Sequence, residues 1–280
     1  MSWRVRVVHR TGYQYAKPVT QSYNEARLTP RTDPRQNVVV DRVETTPSSR
    51  AYRYTDYWGT TVTAFDLHAP HTELMVVGSS VVETAEPVAP SRGASWADLR
   101  HDRVSDRFVE LLEATTFVPR REEIVAQAHA LVKSKSPAAA VIEVAGWVHE
   151  VMTYRPGATG VHHSALDAWE AREGVCQDFA HLTLALLRVA GVPCRYVSGY
   201  LHPKADAGLR EPVVGESHAW IEAWTGGWWG YDPTNAIEVG ERHVWVASGR
   251  DYADVPPLKG IISGGESTAL KVTVEVTRLA

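Results

Sequence analysis

Three residues of this 280-residue chain are placed to do covalent chemistry together. Cys176 sits in Gly174-Val175-Cys176-Gln177-Asp178-Phe179-Ala180, at the turn into an apolar helix. His218 lies in Ser217-His218-Ala219-Trp220, and Asp232 in Tyr231-Asp232-Pro233-Thr234-Asn235. A thiol attacks a carbonyl only as thiolate, so it needs a base and an electropositive setting. The base in turn needs a group that fixes its tautomer. Nucleophile, base and orienting acid follow in that order. Their spacings are too long for a local metal clip and suit three elements that converge in space. The chain therefore reads as a cysteine-dependent amide-cleaving or acyl-transferring enzyme.

The elements that carry these residues can be read from periodicity. From Cys176 to Ala190, Phe179, Leu182, Leu186, Val189 and Ala190 recur at helical spacing, and Gly191 and Pro193 end the helix. A cysteine in the first turn faces unpaired N–H groups and the positive end of the helix dipole. Its own amide is then a natural half of an oxyanion hole. Cys194–Tyr200, Ser217–Trp224 and Trp228–Tyr231 read as strands, with Gly226-Gly227 as a two-residue hairpin turn. That turn sets His218 opposite about position 235, one diagonal step from Asp232. The carboxylate is expected to take the Nδ1 proton of His218 and to leave Nε2 facing the sulfur.

Residues 1 to about 85 hold short alternating or valine-dense runs broken by Pro30, Pro34, Pro47 and Gly59, the pattern of a sandwich. Residues 85 to 95, rich in small and breaker residues, read as a linker. Ser136-Pro137 caps a helix whose stripe runs through Val141, Val144, Ala145, Val148, Val151 and Met152. Ser164 with Asp167 resembles a capping box for a short helix reaching Trp169. The alternating tail, Leu270 to Leu279, is expected to return to the N-terminal sheet. The expected class is thus α+β. An N-terminal β-sandwich-like domain (1–90) precedes a core of helices packed on an antiparallel sheet (96–262), and a C-terminal strand follows (266–280).

Bulk properties exclude several functions. The net charge of −4 offers no basic excess for nucleic acid or anionic lipid. Neither a signal peptide nor a membrane span is visible, which points to the cytoplasm. Of the two cysteines, Cys194 reads as a small buried hydrophobe rather than a disulfide partner.

The blocks around Cys176, His218 and Asp232, with Arg188-Val189-Ala190-Gly191-Val192-Pro193-Cys194-Arg195-Tyr196-Val197-Ser198-Gly199-Tyr200, resemble the core of the bacterial transglutaminase-like superfamily. Tyr13, Tyr15 and Arg27-Leu28-Thr29-Pro30-Arg31 are similar to the β domain that often precedes this core. The resemblance covers most of the chain. It implies a papain-like core, a Cys176–His218–Asp232 triad and acyl-enzyme chemistry on an amide, ending in hydrolysis or in transfer to an amine. It leaves the second step open, and the family also includes inactive relatives. Animal cross-linking members use calcium, but no spaced Asp and Asn run here suggests a calcium loop, so neither metal nor cofactor is expected.

Blander readings stand beside the sharp ones. Asp178 reads as a first-turn acid complementing the helix dipole, and His162, His163 and His181 as loop and helix-face residues rather than ligands. The aromatic stretch from Trp220 to Trp245 reads mostly as core, with Trp220 or Trp229 as a candidate cleft wall. Gln177 is a candidate cleft residue and Tyr154 a candidate second oxyanion donor. The expected function is hydrolysis of a peptide or isopeptide amide in a peptide or protein substrate. Amine transfer is the second reading, and a non-catalytic interaction module on the same fold the third.

Overall fold

The computed structural model describes residues 2–87, 93–206, 208–215 and 217–280. Part of the expected linker, 88–92, lies outside them. The N-terminal region is organised by one long strand, β1 (Trp3–Ala26). β2 (Gln36–Thr46), β3 (Ala51–Thr55), β4 (Thr61–Leu67) and β5 (His71–Thr84) follow it. The first half of β1 lies antiparallel to β5, and the second half to β4. The ladder on the β5 side skips between Gln14 and Val19, where Pro18 has no N–H to donate. There the sheet folds over. Tyr15, Val19, Phe65, Leu67, Leu74 and Val76 fill a small core within this curl, which accounts for the sandwich-like patterning of the sequence.

The helical region contains α1 (Trp96–Arg100), α2 (Asp102–Ser105), α3 (Glu122–Val132) and α4 (Pro137–Val151). β6 (Thr153–Tyr154), α5 (Ala165–Ala171), β7 (Glu173–Gly174) and α6 (Cys176–Val189) come next. The cap on α4 forms as expected: Ala139 N–H donates to Ser136 Oγ at 3.3 Å, and Pro137 occupies the first turn. Ser164 and Asp167 close a reciprocal capping box on α5. Every residue of α6 from Gln177 to Arg188 is buried, so this helix is enclosed on all sides rather than amphipathic. Its leucines 182, 184, 186 and 187 each contribute about 1.5–3 kcal/mol of transfer free energy. A buried helix with no solvent-facing side is a rigid mount for its first residue, Cys176.

The remaining strands are β8 (Cys194–Leu201), β9 (Pro212–Gly215), β10 (Ser217–Trp224), β11 (Trp228–Asp232), β12 (Ile237–Glu238), β13 (His243–Gly249), β14 (Leu258–Gly264) and β15 (Ser267–Arg278). Five of them form the central antiparallel sheet in the order β12-β11-β10-β8-β13, against which α6 packs. The other three join the N-terminal sheet. β15 pairs along β1 from Val5↔Arg278 to Tyr15↔Ser267, the return expected of the tail. β14, grouped with the core by its position in sequence, instead pairs with the second half of β1. β9 leaves the core to pair with β15.

The two regions share one core: Trp3, Val5, Val7 and Val82 pack with residues of the helices and central sheet. Gln36 completes the contact. Its side chain donates to the Trp245 carbonyl at 2.8 Å and accepts the Trp245 N–H at 2.7 Å. That one amide meets both backbone groups of Trp245 on the edge strand β13, and the Arg31 N–H adds a second donor to the same carbonyl at 3.0 Å, so this edge is covered.

Candidate active site

Cys176 is the first residue of α6 and is half-buried. The first helical bonds are donated by Asp178 N–H (2.9 Å) and Phe179 N–H (3.2 Å) to the Val175 carbonyl. The amides of Cys176 and Gln177 therefore precede the intrahelical ladder. Asp178 closes the turn by accepting the Val175 N–H at 2.7 Å and the Thr159 hydroxyl at 2.6 Å on Oδ2. Gly174 makes room for this: a Cβ there would lie 2.5 Å from Asp178 Oδ2. Asp178 is fully buried, and burial pushes its carboxyl up, against the lowering effect of these hydrogen bonds. It is thus more than a dipole complement, because it ties the 159 loop to the helix start. Gln177 does the same from its own side, donating Nε2–H to the Val161 carbonyl at 3.3 Å, and is itself buried.

The strand β10 carries His218 and pairs with β8 on one side and β11 on the other. On β8, His218 lies opposite Gly199. The turn between β10 and β11 has three residues, Thr225, Gly226 and Gly227, because Trp224 pairs with Trp228. This corrects the two-residue turn expected from Gly226-Gly227. The buried Thr225 hydroxyl accepts Trp229 Nε1–H at 3.0 Å, which keeps that residue inside the turn. The register therefore shifts by one, and Asp232 lies two residues short of the position facing His218. From there its carboxylate meets the far nitrogen of the ring: His218 Nε2–H donates to Asp232 Oδ2 at 2.7 Å. The expected nitrogens are thus reversed. With Nε2 engaged, Nδ1 is left for the hydrogen bond that His218 makes with Cys176. Cys176 Sγ also lies 3.9 Å from the Ser217 carbonyl oxygen.

Asp232 is saturated with donors. Its Oδ1 accepts the Thr234 and Asn235 N–H groups at 2.9 and 3.2 Å. Its Oδ2 accepts Asn235 Nδ2–H at 2.8 Å and His243 Nε2–H at 3.4 Å, besides His218. His243 Nδ1 accepts the Gly240 N–H at 3.3 Å, which fixes the proton of that ring on Nε2. Burial works to raise the carboxyl of Asp232, but the charge and hydrogen bonds of His218 and His243 prevail and hold it well below the usual carboxylate range. Burial likewise works to lower His218. The Asp232 carboxylate and the hydrogen bonds to Asp232 and Cys176 overcome it and raise the imidazole to about 10. Burial dominates at His243 and keeps it low. One histidine is thereby held charged and its neighbour neutral.

The ligand atoms of His218, Asp232 and His243 lie within 4.8 Å of one another, as a metal site would require. Both imidazole Nε2 atoms already donate to the same oxygen of Asp232, so an ion would have to displace two hydrogen bonds and their protons. The donors are spent on orienting one carboxylate.

The structure thus brings Cys176, His218 and Asp232 together. It places the other candidates differently. Trp220 is buried behind the histidines, 5.2 Å from the His243 ring in an edge-to-face contact and 6.2 Å from that of His218. Trp229 is likewise core. Tyr154 is exposed on β6, opposite Gly174 of β7, with its ring 6.3 Å from Phe179. His243 and Asn235 were given no role from sequence. Asn235 stands in the quoted Asp232 block, but His243 reaches the site only through the pairing of β13 with β8.

Residues 126–233 match the transglutaminase-like superfamily, and residues 5–83 the bacterial transglutaminase-like N-terminal region. An uncharacterized protein of Mycobacterium leprae is 57% identical over 99% of this chain and 100% of its own length. A protein-glutamine gamma-glutamyltransferase of Pseudomonas aeruginosa is 32% identical over 40% of this chain and 19% of its own. The fold is shared with the crystal structure of a candidate cysteine protease from Cytophaga hutchinsonii, with a TM-score of 0.78 at 21% identity, covering 100% of this chain and 92% of that one. Fold and site together define a transglutaminase-like protein with a cysteine at the head of a buried helix. The chain belongs to the transglutaminase-like superfamily, in the form preceded by the bacterial N-terminal region.

Proposed function

We propose that this protein is a cysteine-dependent amide hydrolase with Cys176 as nucleophile, His218 as base and acid, and Asp232 as the orienting group. One observation carries the reading. A single imidazole is held between a buried carboxylate at 2.7 Å and a half-exposed thiol, whereas the other cysteine, Cys194, is buried. The raised His218 supplies the positive charge that favours thiolate. The thiolate attacks the amide carbon, and the oxyanion forms beside the amides at the start of α6. The C–N bond breaks, the amine departs with the Nδ1 proton of His218, and a thioester remains. Water then attacks the thioester and gives its proton back to Nδ1, releasing the acid. Tyr154 stays a candidate second donor to the oxyanion within this proposal.

The partial likeness to a protein-glutamine gamma-glutamyltransferase favours a second reading, in which a primary amine replaces water in the last step. A glutamine-containing protein and a fluorescent primary amine separate the two. Release of ammonia without label supports hydrolysis, and covalent label supports transfer. Alkylation by iodoacetamide tests the foundation of both. Cys194 is the internal control, since it is fully buried and burial pushes its thiol up to about 11. If Cys176 reacts no faster than Cys194 and ignores His218→Ala, the chain is an interaction module instead. The expected setting is the cytoplasm, which fractionation with an antibody would test; among the described residues no helix is long and apolar enough to cross a membrane.

A further inference from the structure

A cavity of about 290 Å³ lies between the N-terminal sheet and the core. One wall is Tyr13 of β1 with Leu270 and Val272 of β15, and the other is Val161, Ser217 and Tyr252. One of these residues touches the thiol, and another is tied to its neighbour in sequence. The Ser217 carbonyl oxygen is 3.9 Å from Cys176 Sγ, and the Val161 carbonyl is held by Gln177, next in sequence to Cys176. The cavity therefore adjoins the thiol through Ser217.

Its lining combines aliphatic side chains with uncharged hydroxyl-bearing and aromatic ones. Among the described residues that line it there is no Asp, Glu, Lys or Arg. The one titratable imidazole, His9, is buried with both nitrogens engaged, by the Tyr200 hydroxyl at 3.0 Å and the Thr11 hydroxyl at 2.9 Å. Burial also lowers it to about 4, so it is neutral at physiological pH. Meanwhile Val161, Leu270 and Val272 are 50%, 58% and 46% exposed. Scattered exposed aliphatics need no explanation, but three converging on one concavity beside a nucleophile do. A volume at the lower end of ligand pockets, roughly 300–1,000 Å³, suits one large side chain rather than a folded partner.

We propose that this cavity receives an uncharged apolar or aromatic side chain of the substrate, adjacent to the acyl group that Cys176 attacks. The N-terminal sheet is then a specificity wall of the active site. The inference rests on the catalytic reading of Cys176. It is tested with short peptidyl electrophiles that differ only in the residue next to the warhead: Phe, Leu, Asp or Lys. Each alkylation rate at Cys176 is divided by the same protein's rate with iodoacetamide, which needs no cavity. Phe and Leu probes should react about tenfold faster than Asp or Lys probes, as expected for one buried apolar group. Leu270→Asp should shift the preference toward Lys, and Val272→Lys toward Asp. Opposite shifts cannot come from partial unfolding, which would slow every probe alike. Equal rates for all four probes, or a Phe preference untouched by both variants, would overturn the cavity while leaving the catalytic reading intact. An iodoacetamide rate at Cys176 no faster than at Cys194 would remove both.

Discussion

Replacing Asp232 by Asn tests the site at its most constrained atom. In the native protein Asp232, helped by Cys176, holds His218 at about 10 against burial, where the ordinary value is 6.5. At about 1.4 kcal/mol per unit, that corresponds to about 5 kcal/mol of preference for the imidazolium. The neutral amide removes the attraction but not the burial, which by itself lowers the histidine. His218 should therefore titrate well below its native value in the variant, with Cys176 alone left to oppose the burial. The tautomer changes as well. The Asn oxygen stays with the Thr234 and Asn235 amides, which are donors. Its NH₂ then turns toward His218, and Nε2 becomes an acceptor. The ring proton moves to Nδ1 and points at the thiol, so no base is left to face it.

Two losses follow from one substitution. The comparable exchange in a serine-protease triad costs about 10⁴ in kcat, and a fall of roughly 10³–10⁴ is expected here. Stability should drop by about 1–3 kcal/mol, because the buried His243 Nε2–H loses its acceptor while the exposed Asn235 amide can turn to water. Proton and carbon NMR of labelled histidine gives the titration, and amide turnover or alkylation at pH 7.5 gives the rate. A His218 midpoint still near 10 in the variant, or turnover within tenfold of wild type, would refute the assigned roles.

Three further outcomes are expected. Gly199→Ala should destabilise by about 1–3 kcal/mol by overpacking and slow turnover. The new methyl would overlap the Val244 carbonyl and come within 2.6 Å of Trp220 Cη2, pushing the ring that backs His218; urea melts and rates check it. Glu222→Gln should cost about 3 kcal/mol in the same melts, because buried Glu222 bridges Arg35 at 2.7 Å and Arg195 at 2.6 Å across the two regions. Stability should fall as pH drops from 6.5, since buried His9 and His181 are lowered to about 4 and 3 while the unfolded chain takes up protons at 6.5. His9 alone accounts for at most about 3 kcal/mol of this. Urea midpoints at pH 7.5, 5.5 and 4.5 should decline in that order, and a flat series would contradict the assignment.

The reach of the sequence in this chain follows from range. The helix of Cys176 was legible because its apolar residues, its Gly191 stop and its Pro193 are all local. The strands around His218 and Asp232 were legible from alternation. The turn between them was not, because its length depends on the Thr225 hydroxyl meeting Trp229, a contact across the hairpin with no signature in the Gly226-Gly227 pair. Which nitrogen of His218 meets the carboxylate was equally hidden, since it depends on the orientation of the ring. His243 had no signal at all, since it joins the site through a strand pairing set by the whole sheet. The membership of β14 and β9 in the N-terminal sheet was hidden for the same reason: alternation marks a strand but not its partner.

Those two strands bear on why the N-terminal region accompanies this core. β9 ends at Gly215 and β10 begins at Ser217, so the base His218 follows within three residues of a strand anchored to β15. β15 is paired in turn with β1 over most of its length. The strand that carries the base therefore follows closely in sequence on one anchored in the N-terminal sheet. The same sheet supplies Gln36 to the edge of β13, which carries His243, and Arg35 to Glu222, four residues beyond His218. A base that must meet a carboxylate at hydrogen-bond distance and a thiol at once tolerates little displacement. At its Ser217 end β10 is paired within the central sheet to β8 alone, because the pairing with β11 has already stopped. The N-terminal sheet holds that end from outside, and in doing so brings Tyr13, Leu270 and Val272 to the rim of the site.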